Sequence, residues 1–191
     1  MNIEKLQEKP YFTTQQAKNW GVSPRMLSYY VESGKLERIA RGVFRASTFI
    51  PSSHEVQWEG LAIAASNIDQ GVICLLSALS YYDLSDEFVN EYWIAVPNSH
   101  TRVKFPMTRV VRLRNMKLGV KTIKMANMTV QIFDKERTIL EVFRLLDIET
   151  AIKALKRYVS GEHGKPDIRK LLRYSKELRV NISHYLLPLT L

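Results

Sequence analysis

Three polar side chains lie early in a short segment that carries the signals of a helix start. Arg25, Ser28 and Tyr29 follow Ser23 and Pro24, a pair in which serine can cap a helix and proline can occupy its first turn. An arginine at this position can contact guanine or a phosphate. The hydroxyl groups of serine and tyrosine can donate to phosphates or to bases. These residue types therefore offer the chemistry of DNA recognition in the major groove.

A second group of cations follows along the chain. Arg38 and Arg45 belong to two short strand-like runs, residues 36–40 and 43–45, and Arg41 lies in the turn between them. A hairpin with arginines on its strands and at its tip suits a narrow minor groove or the phosphate backbone. The pattern predicts a basic wing that accompanies the helix on DNA.

Local signals define the elements that must position these side chains. Thr13 and Gln16 have the spacing of a capping box, which starts a first helix. Gly21 and Gly34 are placed to end the first and second helices. Residues 13–45 are therefore predicted to form a winged helix-turn-helix. The predicted DNA-contacting residues are Thr14, Ser23, Arg25, Ser28, Tyr29, Lys35, Arg38, Arg41 and Arg45.

Composition limits the class of protein. The chain has 191 residues, of which 46% are hydrophobic, and a single cysteine, Cys74. One cysteine excludes an intramolecular disulfide and a cysteine-rich zinc site. No apolar run approaches the roughly 20 residues that a membrane-spanning helix needs, and the N-terminus lacks an apolar signal core. We expect a cytoplasmic protein without a membrane partner.

Charge is strongly segregated along the chain. The net charge of +9 divides into +4 over residues 1–50, −7 over residues 51–100 and +12 over residues 101–191. Two basic regions on either side of an acidic one indicate two separate surfaces that face anions.

The remaining sequence predicts alternating helices and strands. We expect helices over about 2–8, 53–67, 75–83, 134–146, 148–160 and 168–178. Strands are expected over 72–74, 91–96, 108–113, 120–124 and 128–133, and the apolar tail with Leu186, Leu187 and Leu189 should dock. The predicted fold class is α+β, with an N-terminal winged helix-turn-helix domain over residues 1–48. A mixed α/β C-terminal domain over residues 53–191, ending in helices, should follow it.

Eight cations and no acid occur between residues 101 and 133. They are Arg102, Lys104, Arg109, Arg112, Arg114, Lys117, Lys121 and Lys124. Lysine and arginine on an edge strand can simply protect a sheet from aggregation. Because no acid balances these eight cations, we favour a second surface for nucleic acid or phosphate.

Catalytic signals are weak. The four histidines, at positions 54, 100, 163 and 184, have no metal-ligand spacing, and Cys74 lies in an apolar run. A nuclease would need clustered carboxylates to hold Mg²⁺, and acids between residues 51 and 100 could supply them, although a solvated acidic face is the commoner outcome. We expect no enzyme, no metal and no cofactor. A nuclease-like C-terminal domain and a protein-interaction module remain the alternatives.

Several short motifs together resemble a known family. The N-terminal ones are Tyr11-Phe12-Thr13-Thr14, Gly21-Val22-Ser23, Leu27, Gly34-Lys35-Leu36-Glu37-Arg38 and Arg41-Gly42-Val43-Phe44-Arg45. Further along the chain are Ser77-Ala78-Leu79-Ser80, Leu84-Ser85 and Glu136-Arg137-Thr138-Ile139-Leu140-Glu141. They are similar to AbiEi-type antitoxins of bacterial abortive-infection, type IV toxin–antitoxin systems. That family often has aspartate where this chain has Glu141.

The resemblance implies a two-domain protein with two roles. The N-terminal domain would bind inverted repeats of double-stranded DNA in its own promoter and repress the operon. The C-terminal domain would supply antitoxicity in phage defence. The counterpart would be a nucleotidyltransferase-like toxin, with which the antitoxin forms no stable complex. Cooperative binding of several copies on DNA is left open.

Overall fold

A computed structural model of the chain describes residues 6, 11–50, 53–100, 105, 107–162 and 164–189. The chain forms two compact units, residues 1–67 with 124–129 and residues 68–123 with 130–191. The predicted α+β class is confirmed, since both units combine helices and strands. The helix expected over residues 2–8 lies outside the described residues, except for Leu6, which is helical and buried.

The first unit contains two short helices and a hairpin, as predicted. Its elements are β1 (Phe12–Thr13), α1 (Thr14–Asn19), α2 (Pro24–Glu32), β2 (Leu36–Ala40), β3 (Val43–Ala46) and α3 (Ser53–Asn67). Its sheet is antiparallel, with strand order β1-β3-β2. The capping box is confirmed, because the Thr13 hydroxyl accepts from the Gln16 amide at 3.2 Å while the Gln16 side chain accepts from the Thr13 amide at 2.7 Å.

The core of this unit fixes the helices on the hairpin. Phe12 is buried, and its ring stacks on Phe44 at 5.9 Å and meets the edge of Trp20 at 6.0 Å. Leu27 from α2 and Leu36 from β2 are buried in the same cluster. Because Leu27 faces the core, the opposite side of α2 faces outward.

The second unit is built on a mixed sheet covered by helices. Its elements are β4 (Val72–Ile73), α4 (Leu75–Tyr81), β5 (Tyr92–Pro97), β6 (Thr108–Leu113), β7 (Val120–Met125), β8 (Met128–Phe133), α5 (Lys135–Leu145), α6 (Ile148–Ser160), α7 (Ile168–Leu178) and α8 (Ser183–Leu186). The end of β7 and the start of β8, within residues 124–129, are counted in the first unit. The strand order is β6-β5-β4-β8-β7, so β6 and β7 form the two edges. Strand β4 pairs antiparallel with β5 and parallel with β8, and β5 pairs parallel with β6.

The C-terminal tail docks only in part. Leu186 is buried and Leu189 packs partly against the core of the second unit, whereas Leu187 is exposed. The expectation that all three would dock is wrong for Leu187. Neighbouring residues of a helical segment point in directions about 100° apart, and here the burial of Leu186 leaves Leu187 on the exposed side. Of the helices within the described residues, none is both long and apolar enough to cross a membrane.

Candidate nucleic-acid interface

The exposed side of α2 carries the polar residues that were singled out from the sequence. Arg25, Ser28 and Tyr29 are all exposed, on the side of the helix away from buried Leu27. Ser23 caps the helix, since its hydroxyl accepts from the Met26 amide at 3.3 Å. The Ser28 hydroxyl donates to the Pro24 carbonyl at 3.3 Å. The helix therefore presents one free guanidinium in its first turn and a largely exposed phenol in its second turn.

The hairpin presents a second set of cations. Lys35, Arg38 and Arg41 are exposed and form no ion pair with any described residue. The tip of the hairpin is anchored to α1, because Thr14 donates to the Gly42 carbonyl from its amide at 2.8 Å and from its hydroxyl at 3.3 Å. Thr14 is thus placed to hold the turn that carries Arg41.

Arg45 is placed differently from the other predicted contacts. Its guanidinium bonds Glu37 at 2.6 Å and Glu59 of α3 at 3.0 Å, and its side chain is 18% exposed. The register of the hairpin explains the first pair, since Glu37 lies directly opposite Arg45. The Arg41–Gly42 turn by itself would place Arg38 opposite Arg45, and a register shift between Arg38 and Ala40 brings Glu37 there instead. The position of the turn therefore does not predict this cross-strand pair.

The basic residues between 101 and 133 do not form one strip. Arg109 and Arg112 lie on edge strand β6, whereas Lys121 and Lys124 lie on β7 at the opposite edge of the sheet. Arg114 and Lys117 are exposed in the connection between these strands, and Arg102 and Lys104 lie outside the described residues. The described cations of this stretch are therefore divided between two edges.

Two arginines on β6 have partners within the second unit. The Arg109 guanidinium lies 4.4 Å from the centre of the Trp93 ring, a cation–π contact. Arg112 donates to the His100 carbonyl at 3.4 Å. Both side chains remain exposed, so these contacts orient the guanidinium groups without hiding them.

A regular stripe of cations lies on α7. Arg169, Arg173 and Lys176 are exposed at spacings of four and three residues, which places them along one helix face over about 10.5 Å. From the sequence they were assigned to no surface. Lys170 of the same helix is only partly exposed, because its ammonium bonds Asp134 and Glu136, each at 2.9 Å.

The acids that come together are not those foreseen for a nuclease. Asp134 caps α5 and Glu136 lies in its first turn, and both are buried against Lys170. Tyr158 donates to Glu136 at 2.7 Å and Tyr174 donates to Asp134 at 3.3 Å. The two carboxylates share the Lys170 ammonium, and each accepts a hydrogen bond from one tyrosine, Tyr174 of α7 for Asp134 and Tyr158 of α6 for Glu136. The cluster ties these two helices to the start of α5.

Across the described ranges, no group of three or more His, Cys, Asp or Glu side chains is placed to hold a metal ion. Cys74 is buried, and burial raises the pKa of its thiol, so it is not poised as a nucleophile.

The acidic segment between β4 and β5 pairs with α6. Asp86 forms an ion pair with Arg157, and Glu87 accepts a hydrogen bond from the Thr150 hydroxyl. An open groove of about 530 Å³ lies here, lined by Ser85, Asp86, Glu87, Lys153, Lys156 and Arg157. Some of the acids between residues 51 and 100 therefore lie beside cations of the same unit.

The buried cluster of Asp134, Glu136 and Lys170 should affect how the stability of the protein depends on acid pH. Burial alone would raise the pKa of Glu136, but hydrogen bonds from Tyr158 and Lys170 outweigh it and lower that pKa. The ionised Glu136 carboxylate therefore stabilises the folded protein. This contribution is fully present above the unfolded-state pKa of about 4.3, and it is lost as the pH falls through the lower pKa of the folded state. Glu136→Gln should therefore reduce stability at neutral pH and flatten its decline in acid.

Urea unfolding between neutral and acidic pH measures this effect. Tyr158→Phe should flatten the acid decline as well, since it removes one of the bonds that lower the pKa of Glu136. An acid decline as steep in both variants as in the wild type would show that Glu136 does not contribute to it.

Comparison with known families bears on the first unit. Residues 3–47 match the model of a family described as "Transcriptional regulator, AbiEi antitoxin". The resemblance inferred from the motifs is confirmed over these residues, which supports a regulatory and antitoxin role. They are less than a quarter of the chain, and residues 48–191 lie outside the match. No curated protein matches the chain.

Proposed function

We propose that the protein is an antitoxin that binds the promoter of its own operon and represses it. The observation that carries the proposal is the exposure of Arg25, Arg38 and Arg41 on a helix pair and hairpin that match a transcriptional-regulator family. In this proposal the first unit is a winged helix-turn-helix. Its ligand is double-stranded DNA with inverted repeats.

The binding mode follows from which side chains are free. Helix α2 enters the major groove, where Arg25 in the first turn reaches a guanine edge or a phosphate. Tyr29 and Ser28 lie beside it and contact the backbone. Arg38 and Arg41 hold the hairpin on the adjacent phosphates or minor groove. Thr14 and Ser23 act indirectly, by fixing the hairpin tip and the start of α2.

The second unit supplies antitoxicity in this proposal, within a type IV system whose toxin is nucleotidyltransferase-like. Its family-like motifs lie mostly inside the unit. The buried Ser77 hydroxyl accepts from the Trp93 amide at 2.9 Å, and Arg137 and Glu141 are buried together. These residues build the fold. The antitoxic surface then consists of exposed cations, with the arginines of β6 and the stripe on α7 as its candidates.

Two substitutions test the proposed interface. Arg25→Ala should weaken operator binding by about 1–3 kcal/mol and relax sequence preference at the contacted base pair. Arg41→Ala should weaken binding more uniformly and make the salt dependence shallower by about one charge. Gel-shift titrations with the DNA upstream of the gene, at several salt concentrations, measure both quantities.

Lys153→Ala is the matched control, since it removes one cation from the second unit where the side chain pairs with Glu149 at 2.6 Å. It should leave operator affinity and the salt slope unchanged. Unchanged binding in both Arg25→Ala and Arg41→Ala would place the interface elsewhere.

A further inference from the structure

Arg45 joins three elements of the first unit. From β3, its Nη2 and Nε bond Glu37 Oε2 of β2 at 2.6 and 3.1 Å. Its Nη1 bonds Glu59 Oε1 of α3 at 3.0 Å, and the Glu59 side chain is 15% exposed. One planar guanidinium is thus held by two carboxylates from different elements, a geometry that fixes its orientation.

The charge at this position is unsuited to a phosphate. Two carboxylates contact one guanidinium, so the formal charges of Arg45, Glu37 and Glu59 sum to a net negative charge. A phosphate approaching Arg45 would meet Glu37 and Glu59 at close range, and each of the three nitrogens of the Arg45 guanidinium already donates to one of these carboxylates. The free cations of the hairpin are Arg38, in the same strand as Glu37, and Arg41 at the tip.

We infer that Arg45 and Glu59 form a clasp that positions the wing for DNA binding, with α3 as part of the DNA-binding unit. The inference rests on the proposed function. Thr14 holds the hairpin at its tip and the clasp holds it at its base. Together they keep Arg38 and Arg41 in a defined orientation, so that less conformational freedom is lost on binding. Arg45 and Glu59 are positioning residues and touch no DNA.

Glu59→Ala separates the clasp from a simple charge effect. Removing a carboxylate from a DNA-binding unit should by electrostatics alone tighten binding, because repulsion of phosphates is relieved. The clasp predicts the opposite sign, a loss of about tenfold, comparable to one net hydrogen bond. The salt slope should not change, since no phosphate contact is removed. Alanine is a good helix former, so α3 itself should persist.

Glu32→Ala is the matched control. Glu32 is exposed at the end of α2, and its removal takes one negative charge from the same unit without touching the clasp. It should leave binding unchanged or tighten it. Arg45→Lys keeps the positive charge but loses the fork of donors, and should weaken binding about as much as Glu59→Ala.

A measurement without DNA completes the test. Hydrogen exchange of the intact protein should become faster at the amides of residues 36–46 in Glu59→Ala, and stay unchanged in α2. Glu59→Gln, which preserves side-chain size, is the second variant if Glu59→Ala folds poorly.

The outcomes distinguish the clasp from the function on which it rests. If the wild type binds its promoter and Arg25→Ala weakens it, while Glu59→Ala and Glu59→Gln bind equally well or more tightly, the clasp is overturned and the DNA-binding proposal stands. A salt slope that becomes shallower by about one in Arg45→Ala, with no effect in Glu59→Ala, would make Arg45 a phosphate contact instead. If the wild type does not bind specifically, the proposed function and the positioning role fall together.

Discussion

Replacing Glu141 by alanine is expected to destabilise the protein by about 3–5 kcal/mol, because it leaves a buried arginine without its counter-charge. Arg137 Nη2 lies 2.5 Å from Glu141 Oε1, and the two side chains are 1% and 0% exposed. Arg137 Nε and Nη1 have no hydrogen-bond partner within the described part of the chain. Burial lowers the pKa of the Arg137 guanidinium, and the charge and hydrogen bond of Glu141 act in the opposite direction.

Urea unfolding at neutral pH measures the loss of stability as a shift of the midpoint. Glu149→Ala is the control, since Glu149 pairs with Lys153 at the same spacing of four residues but on an exposed helix face. Exposed pairs of this kind contribute about 0.3–0.5 kcal/mol. A loss in Glu141→Ala no larger than in Glu149→Ala would contradict a structural role for the buried pair.

Gly119→Ala is expected to destabilise the protein by about 2–5 kcal/mol, the sum of the cost of a left-handed backbone and that of a steric clash. Gly119 has a φ of +73°, and an added Cβ would lie 2.7 Å from Arg137 Cβ and 2.9 Å from Asp134 Oδ1. Neither neighbour can move freely, because Asp134 caps α5 and Arg137 is buried against Glu141. The substitution therefore disturbs Asp134 and Arg137, the buried polar residues at the start of α5.

Gly34→Ala is the matched control for this position. Gly34 has a similar φ of +70°, but no atom lies within 4 Å of the Cβ that alanine would add. Its cost should be limited to the backbone contribution, about 1–2 kcal/mol. Equal urea-unfolding midpoints for the two variants would mean that the neighbours of Gly119 move to accommodate the added Cβ without loss of stability.

Local signals made much of the secondary structure predictable. The Thr13 capping box and the Ser23–Pro24 helix start act over three or four residues, so they can be found without knowing the fold. Strands β6 and β8 and helices α6 and α7 also have the predicted bounds. Strand pairing was not predictable, since periodicity gives no information on which strands are neighbours. For this reason the basic residues of β6 and β7 looked contiguous in sequence although the sheet separates them.

The pairing of charged side chains was the second feature that the sequence did not predict. Arg45, Lys170 and Arg137 were expected at the surface or left unassigned, because isolated charges are rarely buried. Each is shielded by partners distant in sequence or one turn away, which single-residue preferences do not register. At position 141, the glutamate side chain reaches both Arg137 and Arg144.

A gel-shift titration with the DNA upstream of the gene, against a scrambled sequence of equal length and at two salt concentrations, tests promoter binding most directly. We expect the promoter to be bound more tightly than the scrambled DNA, with affinity falling as salt rises and with Arg25→Ala losing the preference. Equal affinity for the two sequences, or promoter binding insensitive to salt, would contradict the assignment of the first unit as a sequence-specific DNA-binding domain.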